Sequence, residues 1–278
     1  MGYHSEELVA ELSEVAMDLR RTVVEMIHRA ASGHPGGSLS AAEIIAALYF
    51  HQLRIDPARP DWPERDRFIL SKGHAAPLLY ATLARRGFFP VEELATLRQL
   101  GSRLQGHPDR LKTPGVEMTA GFLGHGISIG VGLALAARLN GMDYRTYVLV
   151  GDGEIQAGVI WEGAMEAAKY RLSSLTAILD YNDVQLDGPV HEIMPIAPVV
   201  DKWRAFNWAV IETNGHNMRQ VLEALDEATD IHDRPTIIVA HTTKGKGVSF
   251  MENQSRWHGR APNDEEYAQA LAELKGEV

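Results

Sequence analysis

The sequence predicts an α/β protein with a doubly wound, mostly parallel sheet and helices on both faces. Short apolar runs typical of buried strands alternate with amphipathic segments of helical spacing. Strands separated by helices in this way pair in parallel, because a parallel crossover needs a long connection. No repeat, low-complexity tract or convincing linker interrupts the 278 residues. We therefore interpret residues 1–278 as a single domain, which is long enough to bury a full core.

The N-terminal half is predicted to be mainly helical. Apolar residues recur at helical spacing through residues 5–31, which predicts a long amphipathic helix. Ser40-Ala41-Ala42-Glu43 has the pattern of a capping box and predicts a helix to about Gln52. The elements that follow are a strand at 67–70, a helix from about 77, a short helix at 91–100 and, after a long loop at 101–126, an apolar helix at 127–139.

The second half alternates more regularly between strands and helices. Its predicted strands are 147–150, 175–181, 208–213 and 235–241. Its predicted helices are 159–170 and 218–230. This alternation is what predicts a parallel sheet covered on both faces.

Composition excludes several classes of function. The formal net charge is -10 and no block of basic residues occurs, so we expect no nucleic-acid partner. The absence of cysteine excludes disulfides, thiolate nucleophiles and zinc–thiolate sites. No stretch reaches the ~20 apolar residues of a membrane helix, and the polar residues 1–21 lack the apolar core of a signal peptide. We expect no membrane association and a cytoplasmic location.

Polar residues follow two strands that are predicted to be neighbours. Asp152, between two glycines, comes directly after the strand at 147–150, and Asn182 follows the strand at 175–181. A right-handed crossover brings both carboxyl ends to one edge of the sheet, where open α/β sheets bind ligands. A carboxylate, an amide oxygen and the Val184 carbonyl would suit a hard cation such as Mg²⁺. On the residues alone, a simple turn explains Gly-Asp-Gly about as well.

Two features of the loops are further candidates for a site at this edge of the sheet. Gly121-Phe122-Leu123-Gly124-His125-Gly126 precedes a predicted helix, where backbone N–H groups can bind an anion, although a tight packing turn is the alternative. His34, His74, His107 and His258 lie in loops beside glycine or proline. Imidazoles there suit proton transfer to hydroxyls and hydrogen bonds to phosphate, so we interpret them as one polar cleft. A zinc site is the alternative, but no short-range ligand spacing supports it.

Taken in order, these motifs resemble the N-terminal half of transketolases. The motifs are Ser32-Gly33-His34-Pro35-Gly36, Ser71-Lys72-Gly73-His74, Gly106-His107-Pro108, the loop from Gly121 to Gly126, Gly151-Asp152-Gly153, the run from Asp180 to Gly188, and Trp257-His258-Gly259. Each is weak alone, but seven in family order and spacing form a specific match. The resemblance implies the thiamine diphosphate-binding fold, in the form of the domain that holds the diphosphate.

The resemblance also implies roles for individual residues. It implies that Asp152, Asn182 and the Val184 carbonyl bind Mg²⁺, or Ca²⁺ or Mn²⁺ in its place. It implies that thiamine diphosphate is held by His74, Gly121, Phe122, Leu123, Gly153, Asn182 and His258. It implies that His34, His107 and His258 are catalytic, face the sugar, bind its hydroxyls and move protons. The thiazolium of the cofactor would hold the charge left when a ketose is cleaved between C2 and C3.

A partner is implied as well. Full-length transketolases continue with a pyrimidine-binding domain, which carries the glutamate that activates the cofactor, and a C-terminal domain. Here the last motif lies close to residue 278. We therefore expect a separate C-terminal transketolase subunit, an α2β2 heterotetramer and sugar phosphate substrates, with ketol transfer only in the presence of the partner.

Three residues depart from the family pattern. Phe122 and His125 replace a small residue and a glutamine, and Ala157 replaces a glutamate that links the two active sites. Glu162 is a candidate interface carboxylate, and an unusual ketose substrate is compatible with Phe122 and His125. Two alternatives stay open: a subunit of a ketoacid dehydrogenase or deoxyxylulose phosphate synthase, which the histidines disfavour, and a non-catalytic regulatory subunit, which Ala157 leaves possible.

Overall fold

The centre of the molecule is a parallel five-stranded sheet. The computed structural model describes residues 4–277; residues 1–3, the start of the stretch searched for a signal peptide, and residue 278 lie outside the described part. The strands are β1 (Arg67–Leu70), β2 (Thr146–Gly151), β3 (Leu175–Tyr181), β4 (Ala209–Asn214) and β5 (Thr236–His241). Their order is β1-β2-β3-β5-β4, and every neighbouring pair is parallel.

Helices surround this sheet. Those of the described part are α1 (Glu6–Ala30), α2 (Pro35–Ser40), α3 (Ala42–Ala47), α4 (Ala76–Arg85), α5 (His125–Leu139), α6 (Gly158–Lys169), α7 (Val190–Ile193), α8 (Val199–Ala205), α9 (Met218–Asp230) and α10 (Asp264–Lys275). A π-helical turn, Leu48–Gln52, continues α3. Short 3₁₀ helices cover Gly73–Ala75, Val91–Thr96, Glu154–Gln156 and Ser255–Trp257.

Alternating side chains of the strands divide the core into two layers. In β2, Tyr147 and Leu149 pack into one apolar layer, while Val148 and Val150 pack into the other. The first layer is covered by α1, α3, α4, α9 and α10, and the second by α5, α6 and α8. Strands buried on both faces are mostly apolar, which explains why they are recognisable in the sequence as short apolar runs. The predicted doubly wound fold is confirmed.

One local prediction was wrong. Ser40 does not cap a helix, because it is the last residue of α2, and Ala41 precedes α3 without a side-chain cap. The Ser40 hydroxyl instead donates a hydrogen bond of 2.6 Å to the buried Asp180 carboxylate. A hydrogen bond to a carboxylate is stronger than one with a neutral backbone N–H group. A capping box does occur at Asn263 and Glu266, where it begins α10, a helix that the sequence pattern did not lead us to predict.

The other predicted helices and strands agree with the structure to within a few residues, except that the predicted helix at 91–100 is only the short turn Val91–Thr96. The short helices α2, α7 and α8 were not predicted. None of the helices in residues 4–277 is both long and apolar enough to cross a membrane.

Candidate active site

A cavity of about 260 Å³ opens at the carboxyl edge of the sheet. The ends of β2 and β3 form its floor, because Gly151 and Asp180 are register partners in adjacent strands. Its lining residues are Gly37, Lys72, His74, Leu123, Gly151, Asp152, Gly153, Glu154, Asn182, Val184, Gln185, Leu186, Lys244 and His258.

The Asp152 carboxylate lies at the floor of the cavity. It accepts hydrogen bonds from the N–H groups of Gly153 at 2.7 Å, Asn182 at 2.9 Å and Asp183 at 2.5 Å. The predicted convergence of Asp152 and Asn182 is thereby confirmed. Burial, followed by the nearby Asp180, raises the pKa of Asp152 to about 6. Within residues 4–277 no side chain forms an ion pair with it, so Asp152 is a buried carboxylate held by backbone N–H groups alone.

Two further oxygens lie beside Asp152. The Asn182 amide oxygen accepts from the Val184 N–H at 3.1 Å, and the Val184 carbonyl accepts from the Lys244 ammonium at 2.6 Å. Burial lowers the pKa of Lys244 to about 8 despite the opposing charge of Asp152. The nearby Asp152 charge favours the protonated form of Lys244, whose ammonium faces the Val184 carbonyl.

Asp180 anchors the back of the cavity. It lies fully buried at the end of β3 and accepts hydrogen bonds from Ser40, Lys72 and Thr242. Burial alone would raise the pKa of Asp180, but the charge and hydrogen bond of Lys72 outweigh it and hold the pKa below its ordinary value. The Lys72 ammonium also donates a hydrogen bond of 2.7 Å to the Gly37 carbonyl. This arrangement ties α2 and the loops that follow β1 and β5 to the carboxyl edge.

The four loop histidines do come together. The ring centroid of His34 lies 5.4 Å from that of His74, 5.7 Å from His258 and 6.4 Å from His107. His74 and His258 stack with their ring centroids 4.9 Å apart. The predicted polar cleft is therefore present, built by residues that are as much as 224 positions apart in the sequence.

These imidazoles are held neutral. Burial and then the charge of Arg98 lower the pKa of His34 to about 4. Burial and then Lys244 lower the pKa of His258 to about 3. His74 and His107 shift in the same direction, chiefly because burial lowers the pKa of each. A neutral imidazole has one N–H donor and one acceptor nitrogen, so each can give or accept one hydrogen bond on a defined side.

The predicted site residues lie in three places: the cavity lining, the histidine cluster and an exposed loop. Those that line the cavity itself are His74, Leu123, Asp152, Gly153, Asn182, Val184 and His258. His34 and His107 belong to the histidine cluster beside it, and Gly121 and Phe122 lie further out on an exposed loop. Sequence reasoning missed Lys72, Lys244 and Asp180 as individual site residues. The available signal for Lys244 was its position between a strand end and two glycines.

The residues that depart from the family pattern, Phe122, His125 and Ala157, do not line the cavity itself. The Phe122 side chain is 82 % exposed, and its ring lies 5.9 Å from that of His125. Ala157 precedes α6 and lies directly under Gly124, where a Cβ would come within 3.1 Å of the Ala157 Cβ. Ala157 therefore supports the 121–126 loop by close packing.

This geometry is that of an α/β protein with a cavity at the carboxyl edge of a parallel sheet, the place where such sheets bind ligands, with lysines, carboxylates and imidazoles around it. Comparison with known proteins narrows the class. Residues 12–276 match the family described as "Transketolase, thiamine diphosphate binding domain".

The chain is 45% identical over 267 residues to the 6-deoxy-6-sulfo-D-fructose transketolase subunit of Clostridium sp. strain MSTE9, covering 96% of this chain and 97% of that protein. It is 42% identical to one subunit of the apulose-4-phosphate transketolase of Phocaeicola vulgatus, covering 93% of this chain and 92% of that one. The solved transketolase of Pichia stipitis superposes with a TM-score of 0.91 at 32% identity, over 95% of this chain but only 40% of that chain.

The chain belongs to the transketolase family, the enzymes that transfer ketol groups, and corresponds to their N-terminal thiamine diphosphate-binding domain. It spans about 40% of the solved transketolase it matches, whereas it covers nearly the whole of relatives that are themselves named as subunits.

Proposed function

We propose that this chain is the cofactor-binding subunit of a two-subunit transketolase, which moves a two-carbon ketol unit from a ketose to an aldose. The observation that carries the proposal is the cluster of four histidines beside the Asp152 cavity. An enzyme that handles sugar hydroxyls on both sides of the broken bond needs several such groups. Two relatives of nearly the same length are named as transketolase subunits, which supports the two-subunit form.

We assign a divalent cation, Mg²⁺ or in its place Ca²⁺ or Mn²⁺, to Asp152, Asn182 and the Val184 carbonyl. The residues fit this ion, because Asp152 is a buried carboxylate without an ion-pair partner in residues 4–277 and all three donors are hard oxygens. No group of three or more His, Cys, Asp or Glu side chains suited to a metal occurs in that described part. This absence agrees with a set of only one carboxylate, in which phosphate and water complete the shell.

Thiamine diphosphate would lie in the same cavity, against the predicted residues His74, Gly121, Phe122, Leu123, Gly153, Asn182 and His258. The Lys244 ammonium lines the cavity and would attract a diphosphate, whereas the charge of Lys72 is paired with Asp180. Gly37 allows His74 and Lys72 to lie close to the backbone, since a Cβ there would lie 3.1 Å from His74 Nε2 and 3.4 Å from Lys72 Nζ. When bound, the cofactor supplies a thiazolium that stabilises the carbanion of the transferred unit.

The chain's own imidazoles bind the sugar and move its protons. Lys244 lies 2.8 Å from His258 Nδ1, and because an ammonium has only donors, the proton of His258 is on Nε2. His258 thus presents an N–H to the cleft. We assign His34 and His107, with His258, to the hydroxyls of the sugar. Imidazoles so positioned contribute roughly 10²–10⁴-fold to a proton-transfer step.

The proposal includes, as the partner, a C-terminal transketolase subunit in an α2β2 heterotetramer, and takes residues 1–278 as one domain. The donor is a ketose that carries an anionic group at its far end. Relatives at 45% and 42% identity are named for 6-deoxy-6-sulfo-D-fructose and for apulose-4-phosphate. Phe122, in the exposed loop before α5, and His125, the first residue of α5, are the positions at which this chain would distinguish such sugars.

Reconstitution tests the proposal. The purified chain is mixed with a candidate C-terminal subunit, thiamine diphosphate and Mg²⁺, and assayed with xylulose 5-phosphate, apulose 4-phosphate and 6-deoxy-6-sulfofructose as donors. We expect ketol transfer from at least one donor only when both chains are present. Robust transfer by the chain alone would contradict the two-subunit form. Cofactor binding by the pair without transfer from any donor would contradict the proposed activity.

A further inference from the structure

Arg98 approaches the histidine cluster from a loop that holds an unusual backbone conformation. Its φ of 60° lies in the left-handed region, which costs a non-glycine residue about 1 kcal/mol or more. The loop is closed by the hydrogen bond from the Arg98 N–H to the Leu104 carbonyl at 2.9 Å, and Leu97 and Leu104 bury their side chains beneath it. The fold thus fixes the direction in which the Arg98 side chain leaves the loop.

The guanidinium of Arg98 ends against the His34 ring. It donates to the Ser32 hydroxyl at 3.0 Å, to His34 Nδ1 at 3.4 Å and to the Gly106 carbonyl at 3.5 Å. A Cβ on Gly106 would come within 3.1 Å of the guanidinium carbon. Glycine at position 106 therefore leaves the space that the Arg98 guanidinium occupies.

Arg98 has no acidic partner in the part of the chain that the structure describes. Among residues 4–277, Arg98 forms no ion pair with a carboxylate, whereas Arg103 on the same loop pairs with Glu93 at 2.8 Å. The Arg98 charge therefore faces imidazoles. Burial is the largest cause that lowers the pKa of His34 and His107, and the charge of Arg98 is the second.

We propose that Arg98 is a positioning residue that fixes His34 as the tautomer protonated on Nε2, so that His34 serves the proposed ketol transfer as a hydrogen-bond donor. A guanidinium has five N–H donors and no acceptor and does not lose its proton in proteins. The nitrogen that it contacts must therefore be the unprotonated one. The single proton of neutral His34 is then on Nε2.

The Nε2 edge of His34 is the edge that is available to a ligand. It lies beside Gly259, where a Cβ would be 3.4 Å away, and no residue of the described part forms a hydrogen bond with it. The titratable and charged groups that face His34 are Arg98, His107, Lys244, His74 and His258. Lys244 orients His258 in the same sense, so two separate cations would present two Nε2–H donors to one cleft.

Nitrogen NMR of the full chain tests the tautomer directly. Histidine-labelled protein is compared for the wild type, Arg98→Gln, Arg98→Lys and the control Arg103→Gln, and His34→Asn identifies the signals of His34. We expect His34 protonated on Nε2 in the wild type and in Arg103→Gln. Arg98→Gln should give a mixture of tautomers and an upward shift of the His34 pKa, because the nearby positive charge is removed. Arg98→Lys should keep the low pKa.

Two results would overturn the inference: a proton on Nδ1 of wild-type His34, or an unchanged tautomer and pKa in Arg98→Gln. The spectra need no turnover, so they are independent of whether the proposed function is right.

Kinetics of the reconstituted pair give the second readout. Arg98→Gln should lower kcat roughly 10- to 100-fold with KM changed by less than about 3-fold, and move the acid limb of the pH profile to higher pH. Arg98→Lys should restore the acid limb. If Arg98 instead bound the substrate anion, KM would rise for xylulose 5-phosphate but not for L-erythrulose, and the positioning role would be refuted.

Discussion

The buried Glu43 carboxylate is the most informative place to perturb the frame that supports the active site. Both of its oxygens bind the Arg20 guanidinium, at 2.7 and 2.6 Å, and one also contacts His216 Nδ1 at 3.1 Å. His216 Nε2 in turn accepts from the Thr243 N–H at 2.7 Å, directly before Lys244. Glu43 therefore links α1 to the loop that carries a cavity lysine.

We expect Glu43→Gln to destabilise the chain by about 3 kcal/mol. Removal of one partner from a buried ion pair costs roughly 3–5 kcal/mol, because the other charge stays buried, and glutamine retains one acceptor for Arg20. The pKa gives a similar figure. Burial alone would raise the pKa of Glu43, but His216 and Arg20 outweigh it and lower the pKa from 4.5 to about 2. That change corresponds to about 3 kcal/mol.

Urea unfolding at several pH values measures this contribution. A carboxyl with a depressed pKa stabilises the fold above its unfolded pKa, so the gap between wild type and Glu43→Gln should be full at pH 7. It should shrink as pH falls from 4.5 towards 2. The control is Glu93→Gln, which breaks the partly exposed pair with Arg103 and should cost less than about 1 kcal/mol. A gap below about 1 kcal/mol at pH 7, or one independent of pH, would refute the reasoning.

Other predictions concern the metal ligand and the packing of α5. Asp152→Ala should abolish Mg²⁺-dependent binding of thiamine diphosphate; unchanged affinity in calorimetry would rule out the metal assignment. Gly126→Ala should destabilise the chain by roughly 1–3 kcal/mol, because its Cβ would collide with the Ser71 side chain. Gly132→Ala, on the open side of the same helix, should stabilise it by up to about 1 kcal/mol in thermal unfolding, and an equal loss at both glycines would contradict the packing argument.

The strands and most helices were predictable because they depend on local pattern. Runs such as residues 175–181 are mostly apolar, and α1 repeats its apolar residues every three or four positions. The convergence of Asp152 and Asn182 followed from the handedness of one crossover. Ser40 shows the limit of such patterns, since its hydroxyl binds Asp180, 140 residues away, instead of a helix end.

The sequence by itself determined the parallel α/β fold, the edge at which the site lies, and the histidines and oxygens that form it, because strand periodicity and loop motifs are local properties. Only the tertiary structure decided which charges meet. Arg98 contacts His34 across 64 positions, Lys72 pairs with Asp180 across 108, and Glu43 reaches His216 across 173. Such pairs depend on the paths of several loops at once, which no local sequence pattern records.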